Sequence, residues 1–484
     1  MISQQIAKTL YFCLMPRRKN KRQVFENIEV IDAGAKGKTI AKAPDGRVIF
    51  TTNTVPGDIV DIQTFKKRKA YFEGKAIKFH KFSEKRTTPK CEHFGVCGGC
   101  KWQDMDYKYQ LHFKQKEVTN NLERIGHLDL PEITPILGAP ETYFYRNKME
   151  FSFSDSRWLT QQEIESDANF GDRNALGFHI PGMWDKILDI NKCWLQRDPS
   201  NDIRNGVKRF AVDNNLEFFN TRNQTGLLRT LMIRTSTTGD VMVVVQFFKE
   251  DKEKRELLLD FMVEKFPEIT SLQYIINEKA NDTIYDQDVI CYWGEDHIFE
   301  EMEGLRFKIN AKSFYQTNSK QAYELYKIAR DFAALKGDEV VYDLYTGTGT
   351  IAQFMAKKAK KVIGVEVVSD AIIAAKENAQ LNAIENVKFF VGDMKSVFND
   401  EFITKNGQPD IIITDPPRDG MHKDVVSQIL KILPNKVVYV SCNSATQARD
   451  LALMKDCYNI VKTQAVDMFP QTHHVENVVL LHRK

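Results

Sequence analysis

Between residues 24 and 79 apolar and polar positions alternate in short runs, over 24–31, 38–43, 47–51, 58–64 and 71–79. A period of two fits half-buried strands, and Asp45-Gly46 and Pro56-Gly57 supply the turns between them. Five such strands in under 60 residues predict a small five-stranded barrel of the oligonucleotide-binding kind. Strand alternation also predicts that one of the adjacent rings Tyr71 and Phe72 fills that barrel.

From about Glu301 the pattern changes. Apolar runs of four to six residues now alternate with helical periodicity: strand 339–344, helix 350–358, strand 362–365, helix 370–381, strands 387–391 and 411–414, helix 423–433 and strand 437–440. Runs of that kind predict a doubly wound α/β domain, a parallel sheet with helices on both faces. The stretch between is read as a mixed α+β domain, with a helix over 107–125 and strands over 148–153, 228–235 and 241–248. The predicted organisation is therefore a disordered or non-native extension over 1–16, the barrel over 17–80, the central domain over 81–300 and the α/β domain over 301–484. Met15, followed by Pro16 and Arg17-Arg18-Lys19, offers itself as the natural start.

Length agrees, since 484 residues correspond to two or three domains. With 42% hydrophobic residues the chain is no disordered polymer, and no run of about 18 uncharged apolar residues exists to span a membrane. The net charge of +3 conceals an uneven distribution. Residues 17–90 hold 19 Lys and Arg against 8 Asp and Glu, a net of +11, so the rest carries −8. Such asymmetry points to a polyanionic partner for the basic end. Lys66, Lys67, Arg68 and Lys69 beside Tyr71 and Phe72 combine cations for phosphates with rings for stacking on bases.

Candidate chemistry gathers where the predicted strands end. Asp343-Leu344-Tyr345-Thr346-Gly347-Thr348-Gly349-Thr350 is a strand, a tight glycine turn and a helix start, but it lacks the third glycine of a dinucleotide fingerprint. The second strand ends in Glu366, placed to accept ribose hydroxyls; the third leads to Asp393 and the fourth to Asp415-Pro416-Pro417-Arg418. In an open α/β sheet these carboxyl ends face one ligand crevice. Cys442 follows the strand 437–440 between polar Ser441 and Asn443, whereas Cys457 sits among apolar neighbours as an ordinary core thiol. Glu476 stands at the start of an apolar strand, where desolvation raises a carboxyl pKa.

Eight cysteines in a chain this long are too sparse for a disulfide scaffold, and a reduced, cytoplasmic protein is expected. Cys91, Cys97 and Cys100 form Cys-x5-Cys-x2-Cys, and Cys193 offers a fourth thiolate. Soft ligands of this kind select zinc or an iron-sulfur cluster, and spacing alone does not choose between them.

The glycine turn, the acidic strand end, Asp415-Pro416-Pro417-Arg418, Ser441-Cys442-Asn443 and Phe469-Pro470-Gln471-Thr472-His473-His474-Val475-Glu476 together resemble the RNA uracil-C5-methyltransferase family, which depends on S-adenosylmethionine. The basic barrel is similar to a TRAM domain, so the resemblance extends over most of the chain. It implies Cys442 as nucleophile, Glu476 as base and Asp415 as the group that orients the uracil or the donor's surroundings. For the cofactor it implies Gln316, Tyr345, Thr350, Glu366 and Asp393, with Asp415 beside them. It also implies a [4Fe-4S] cluster on Cys91, Cys97, Cys100 and Cys193, with zinc the alternative.

The uracil ring explains these residue types. Carbon 5 is a poor nucleophile until a thiolate adds at carbon 6, and a base must afterwards remove the carbon-5 proton. Within the resemblance, the cysteines and the barrel imply the ribosomal branch and 23S ribosomal RNA as the partner, because the transfer-RNA branch generally lacks both; a monomer with no membrane partner is expected. Competing readings are a transfer-RNA substrate, a non-catalytic assembly factor, which has no need of Cys442 or Glu476, and an amino-methyltransferase, which has no need of Ser441-Cys442-Asn443. Two positions depart from the family pattern. Thr346-Gly347-Thr348-Gly349 stands where Cys and Gly-Asn-Gly are common, and His473 stands where glycine is common and is expected to crowd the loop before Glu476.

Overall fold

The computed structural model describes residues 22–166 and 172–484. The expectations for 1–16 and for a start at Met15 lie outside the described residues. Two compact units meet between Arg86 and Thr87.

The first unit is a closed barrel of β1 (Val24–Ala33), β2 (Thr39–Lys42), β3 (Val48–Thr51), β4 (Ile59–Lys67) and β5 (Tyr71–Lys81), in the order β1-β2-β3-β5-β4. Closure removes exposed strand edges. Its core gathers Phe25, Val30, Ile49, Val60, Ile62 and Phe72, so the alternation sends Phe72 inward. Tyr71 remains half-buried against Phe50. The basic turn is less uniformly available than its sequence suggests, because Lys66 and Lys38 both pair with Glu73, at 2.5 and 2.7 Å. Those two ammonium groups hold the Glu73 carboxyl down to about 2. The ring left open beside the cations is Phe65, not Phe72.

The second unit holds two large sheets. One has seven strands in the order β13-β12-β11-β10-β7-β8-β9. They are β7 (Lys148–Ser154), β8 (Ala175–Ile180), β9 (Met183–Asp189), β10 (Leu228–Thr235), β11 (Val241–Phe247), β12 (Ser271–Ile276) and β13 (Ile290–Gly294). One face packs on the helices Ser200–Asp213 and Lys252–Lys265 through Phe151, Val207, Val243 and Leu258. β14 (His297–Met302) and β15 (Leu305–Asn310) form a separate hairpin.

The other sheet has eight strands in the order β18-β17-β16-β19-β20-β22-β21-β6. Its strands are β6 (Thr134–Leu137), β16 (Val340–Leu344), β17 (Lys361–Glu366), β18 (Val387–Val391), β19 (Ile411–Thr414), β20 (Lys436–Ser441), β21 (Tyr458–Val466) and β22 (Glu476–Arg483). β16 to β20 are parallel, as the buried apolar runs predict. The sheet is nevertheless mixed, since β22 inserts antiparallel between β20 and β21. Strand β6, far upstream, adds at the edge beside β21, and the helix Tyr107–Arg124 contributes Val118 and Leu122 to the core behind this sheet. A division at residue 300 separates these two elements from the sheet they complete. Among the described residues no helix is long and apolar enough to cross a membrane.

Candidate active site

The parallel strands all end on one rim. After β16 the backbone turns through Tyr345, Gly347 and Gly349, with φ of 65°, 55° and 75°. Gly349 is required twice over: its φ is left-handed, and a Cβ there would stand 2.7 Å from the Phe389 ring on β18. The helix Thr350–Ala356 then starts at buried Thr350, whose hydroxyl lies 3.4 Å from that of Thr348. Glu366, the last residue of β17, accepts the backbone N–H of Gly347 at 3.1 Å, Val367 at 2.8 Å and Val368 at 3.1 Å. A carboxylate has about four acceptor positions, so capacity for a ribose hydroxyl remains. Asp393 is exposed after β18 and caps the short helix Met394–Val397. The Tyr345 ring packs on the core behind β16 and its hydroxyl meets the His422 backbone N–H, so this residue shapes the turn mainly through its backbone.

Gln316 approaches from the loop before the helix Ser319–Ala333. Its side chain hydrogen-bonds the Tyr326 hydroxyl, and its carbonyl accepts from Asn147 Nδ2 at 2.9 Å. Tyr326 is buried and lies within electrostatic reach of Asp415, Asp343 and Glu476, which places Gln316 at the same crevice.

The antiparallel insertion of β22 decides where Cys442 and Glu476 meet. Ser441 at the end of β20 pairs with Asn477 of β22. That pair is the last of the register, so Cys442 lies just beyond β20 and Glu476 is the first residue of β22 beside it. Glu476 is 5% exposed, and burial together with the Asp415 charge pushes its carboxyl up to about 8. Burial pushes the Cys442 thiol up to about 11, with Glu476 and Asp415 adding to the shift. Asp415, half-buried after β19, is desolvated at its carboxyl and held up to about 7. Three proton-binding groups thus lie within electrostatic reach of one another, which is the arrangement expected of acid-base chemistry near neutrality.

Two participants were not singled out from the sequence. Asp343, penultimate in β16, is fully buried and held up to about 7 by that burial, while the Thr346 hydroxyl, which donates to it at 2.5 Å, and the Ala352 backbone N–H act the other way. An aspartate inside an apolar strand was the available signal. Arg418 is the cation that opposes the upward shifts of both Cys442 and Glu476. It sat in view, as the fourth residue of Asp415-Pro416-Pro417-Arg418. Its loop is tied to the thiol's loop, because the Arg418 carbonyl accepts from Asn443 Nδ2 at 2.9 Å and from the Thr446 hydroxyl at 3.1 Å. Asn443 in turn caps the helix Ser444–Met454. Cys457 packs against the core, as its neighbours imply.

The crowding expected from His473 resolves as ring packing. Its imidazole lies 4.1 Å from that of His474, and burial pushes the two down to about 3 and about 4, so both are neutral at pH 7.

Cys91, Cys97, Cys100 and Cys193 line one cavity of about 720 Å³, bounded also by the face of the seven-stranded sheet and by Phe314 and Thr317 of the loop that carries Gln316. Burial pushes Cys97 up to about 11 and Cys100 up to about 12, and raises Cys91 and Cys193. The charge of Cys193 bears on each of the other three, so the four thiols lie within electrostatic reach of one another. Among the described residues, however, no group of three or more His, Cys, Asp or Glu converges closely enough to hold a single metal ion.

The family profile described as tRNA (Uracil-5-)-methyltransferase matches residues 235–484. A protein of Bacteroides thetaiotaomicron named an uncharacterized RNA methyltransferase is 58% identical over 92% of this chain and 99% of its own length. One of Porphyromonas gingivalis with the same description is 52% identical over 94% of this chain and 99% of its own. Among solved structures, the Pyrococcus abyssi tRNA (uracil-54, C5)-methyltransferase in complex with S-adenosyl-L-homocysteine is similar over 94% of this chain and 100% of that one, with a TM-score of 0.73 and 27% identity.

Proposed function

The chain belongs to the tRNA (uracil-5-)-methyltransferase family, and from that premise we propose that it methylates carbon 5 of one uridine in 23S ribosomal RNA, with Cys442 as nucleophile and Glu476 as base. The observation that supports the proposal is the β20–β22 register, which ends with Ser441 against Asn477 at the carboxyl end of the parallel sheet and so leaves Cys442 and Glu476 as the adjoining residues, within electrostatic reach of each other.

S-adenosylmethionine supplies an electrophilic methyl group on a sulfonium. The left-handed turn at Gly349 and the spare acceptor capacity of Glu366 fit such a donor, with Gln316, Thr350 and Asp393 around it. Cys442 gives its thiol proton to solvent and its sulfur bonds to carbon 6 of the uracil; carbon 5 then takes the methyl group as the bond from that methyl to the sulfonium sulfur breaks, which leaves S-adenosylhomocysteine. Glu476 then accepts the carbon-5 proton, the bond between carbon 6 and sulfur breaks, and Cys442 leaves as a thiolate. Asp415 holds the ring between them, and Arg418 favours the charged forms of both reacting groups. The cationic barrel holds RNA phosphates, with the salt sensitivity that counterion release imposes.

A transfer-RNA substrate is the second reading, and one observation favours it. The likeness to the Pyrococcus abyssi enzyme leaves only about 6% of this chain uncovered, fewer residues than the barrel contains, so a barrel does not by itself separate ribosomal from transfer-RNA enzymes. Mapping of 5-methyluridine by mass spectrometry, in ribosomal and transfer RNA from cells with and without the protein, decides. The expected result is loss of one methyl mark in 23S RNA. Loss confined to transfer RNA replaces the ribosomal reading, and loss in neither overturns both.

For the four thiols we propose a [4Fe-4S] cluster. Four desolvated thiols that line one cavity are the soft ligand set such a cluster takes. The cluster would be structural, since methyl transfer consumes no electron. Protein purified without oxygen is expected to be brown, with about four iron and four acid-labile sulfide per chain. A colourless protein carrying zinc refutes the cluster.

A further inference from the structure

Glu476 is the first residue of its strand, so its position depends on the loop that precedes it as much as on β22. That loop is held by one face of the helix Tyr107–Arg124. The Tyr107 hydroxyl donates to Asp467 Oδ2 at 2.9 Å, and Lys114 Nζ donates to Asp467 Oδ1 at 2.6 Å and to the Phe469 carbonyl at 3.1 Å. Lys114 and Asp467 are fully buried. Between them on the same face, Gln110 clasps Gln471. Its Oε1 accepts the Gln471 backbone N–H at 2.9 Å, and its Nε2 donates to Gln471 Oε1 at 3.0 Å. Positions 107, 110 and 114 recur at the helical spacing that puts side chains on one stripe.

The clasp reaches further, into the cysteine segment. The Gln471 carbonyl accepts from the backbone N–H of Lys101 at 2.9 Å and of Trp102 at 3.1 Å, directly after Cys100. Gln110 Nε2 also meets the Trp102 and Met105 carbonyls, at 2.9 and 2.8 Å. On the other side of this short stretch, Gln103 Oε1 accepts the Cys91 backbone N–H at 3.1 Å. Residues 101–103 are therefore bonded to the cysteine segment on one side and to the loop of Glu476 on the other. Gln471 itself sits at φ 67°, a left-handed conformation that persists where its surroundings hold it.

We propose that Gln110 and Gln471 are positioning residues for Glu476, through which the segment 91–100 acts on proton removal and not on methyl transfer. The inference rests on the reading of Glu476 as the base. It predicts a kinetic signature that general destabilisation does not produce, because a misplaced base leaves the first two bonds forming normally and delays only the release of the thiolate. A displacement of about 1 Å in a reacting group costs up to about a hundred-fold in rate.

The test uses total RNA from cells lacking the protein, S-adenosylmethionine with a tritiated methyl group, and four variants: Gln110→Met, Gln471→Met, the double replacement, and Glu476→Gln. Each is assayed for single-turnover methyl incorporation and for labelled protein–RNA adduct on denaturing gels. For Gln110→Met and Gln471→Met, incorporation is expected at the wild-type rate while release slows about ten- to a hundred-fold and adduct accumulates. The double replacement still deprives the Trp102 and Met105 carbonyls and the backbone N–H of residue 471 of Gln110, so Gln471→Met, which keeps all three bonds, serves if a Gln110 variant does not fold. Incorporation and release falling in parallel, with no adduct, overturns the positioning role. Adduct with Glu476→Gln but not with the clasp variants overturns it too, whereas no adduct with Glu476→Gln removes the base assignment on which it rests.

Discussion

Cys442→Ala is expected to abolish uridine methylation, lowering the rate by about four orders of magnitude or more, while RNA binding in gel-shift assays is unchanged. The size follows from the chemistry. Without addition at carbon 6 the uracil ring offers no carbanion at carbon 5, so removing the thiol removes the reaction path and does not merely slow one step. Binding is expected to survive because the cations proposed to hold phosphates lie on the barrel and not beside this thiol. Cys457→Ala is the matched control, since that thiol packs against the core and faces no carboxyl of the site. Full activity of Cys442→Ala would sink the covalent mechanism, and equal loss in Cys457→Ala would mean that the effect reports on folding.

Local features of this chain are legible where local physics decides them. The strand at 228–235 and the one at 387–391 follow directly from their apolar runs, and Phe72 enters the barrel because alternation leaves Tyr71 on the other face. The rim of the α/β sheet is legible for the same reason, since a polar residue that ends a buried strand has to lie at its edge. What stays hidden is pairing across long separations. Nothing in the run of β22 distinguishes parallel from antiparallel insertion, yet that choice sets Glu476 beside Cys442. Lys114 reads as one more polar residue on a helix until Asp467 is found 2.6 Å away. Asp343 is hidden differently, since an aspartate inside an apolar strand does not announce that it is a buried carboxyl within electrostatic reach of Asp415. The spacing of the cysteines suggests a shared role, but the hydrogen bonds that join their segment to the loop before Glu476 run through Gln110 and Gln471, two residues whose types announce no chemistry.

Glu476→Gln is expected to form the carbon-6 adduct and to retain it, giving a methyl-labelled protein–RNA band on denaturing gels and a release rate lower by about 10²- to 10⁴-fold. An amide matches the carboxyl in shape, so it keeps the packing at the start of β22 while being unable to take the carbon-5 proton. The pH dependence separates this from a packing defect. In the wild type Glu476 must be ionised to act, and with its carboxyl held up to about 8, release accelerates as pH rises through that value; in the variant release stays slow and flat. Stability moves the opposite way. Unfolded, the carboxyl titrates at about 4.3, so the folded chain binds more protons over the interval up to about 8. The stability present below about pH 4 is then lost as pH rises through about 8. The variant lacks this contribution, so its Tm should fall less steeply than that of the wild type between about pH 5 and pH 9. Release of methylated RNA at the wild-type rate would remove Glu476 from its role. A wild-type slope of Tm with pH would instead place the proton uptake on Asp415 and Asp343, the two other carboxyls held up to about 7.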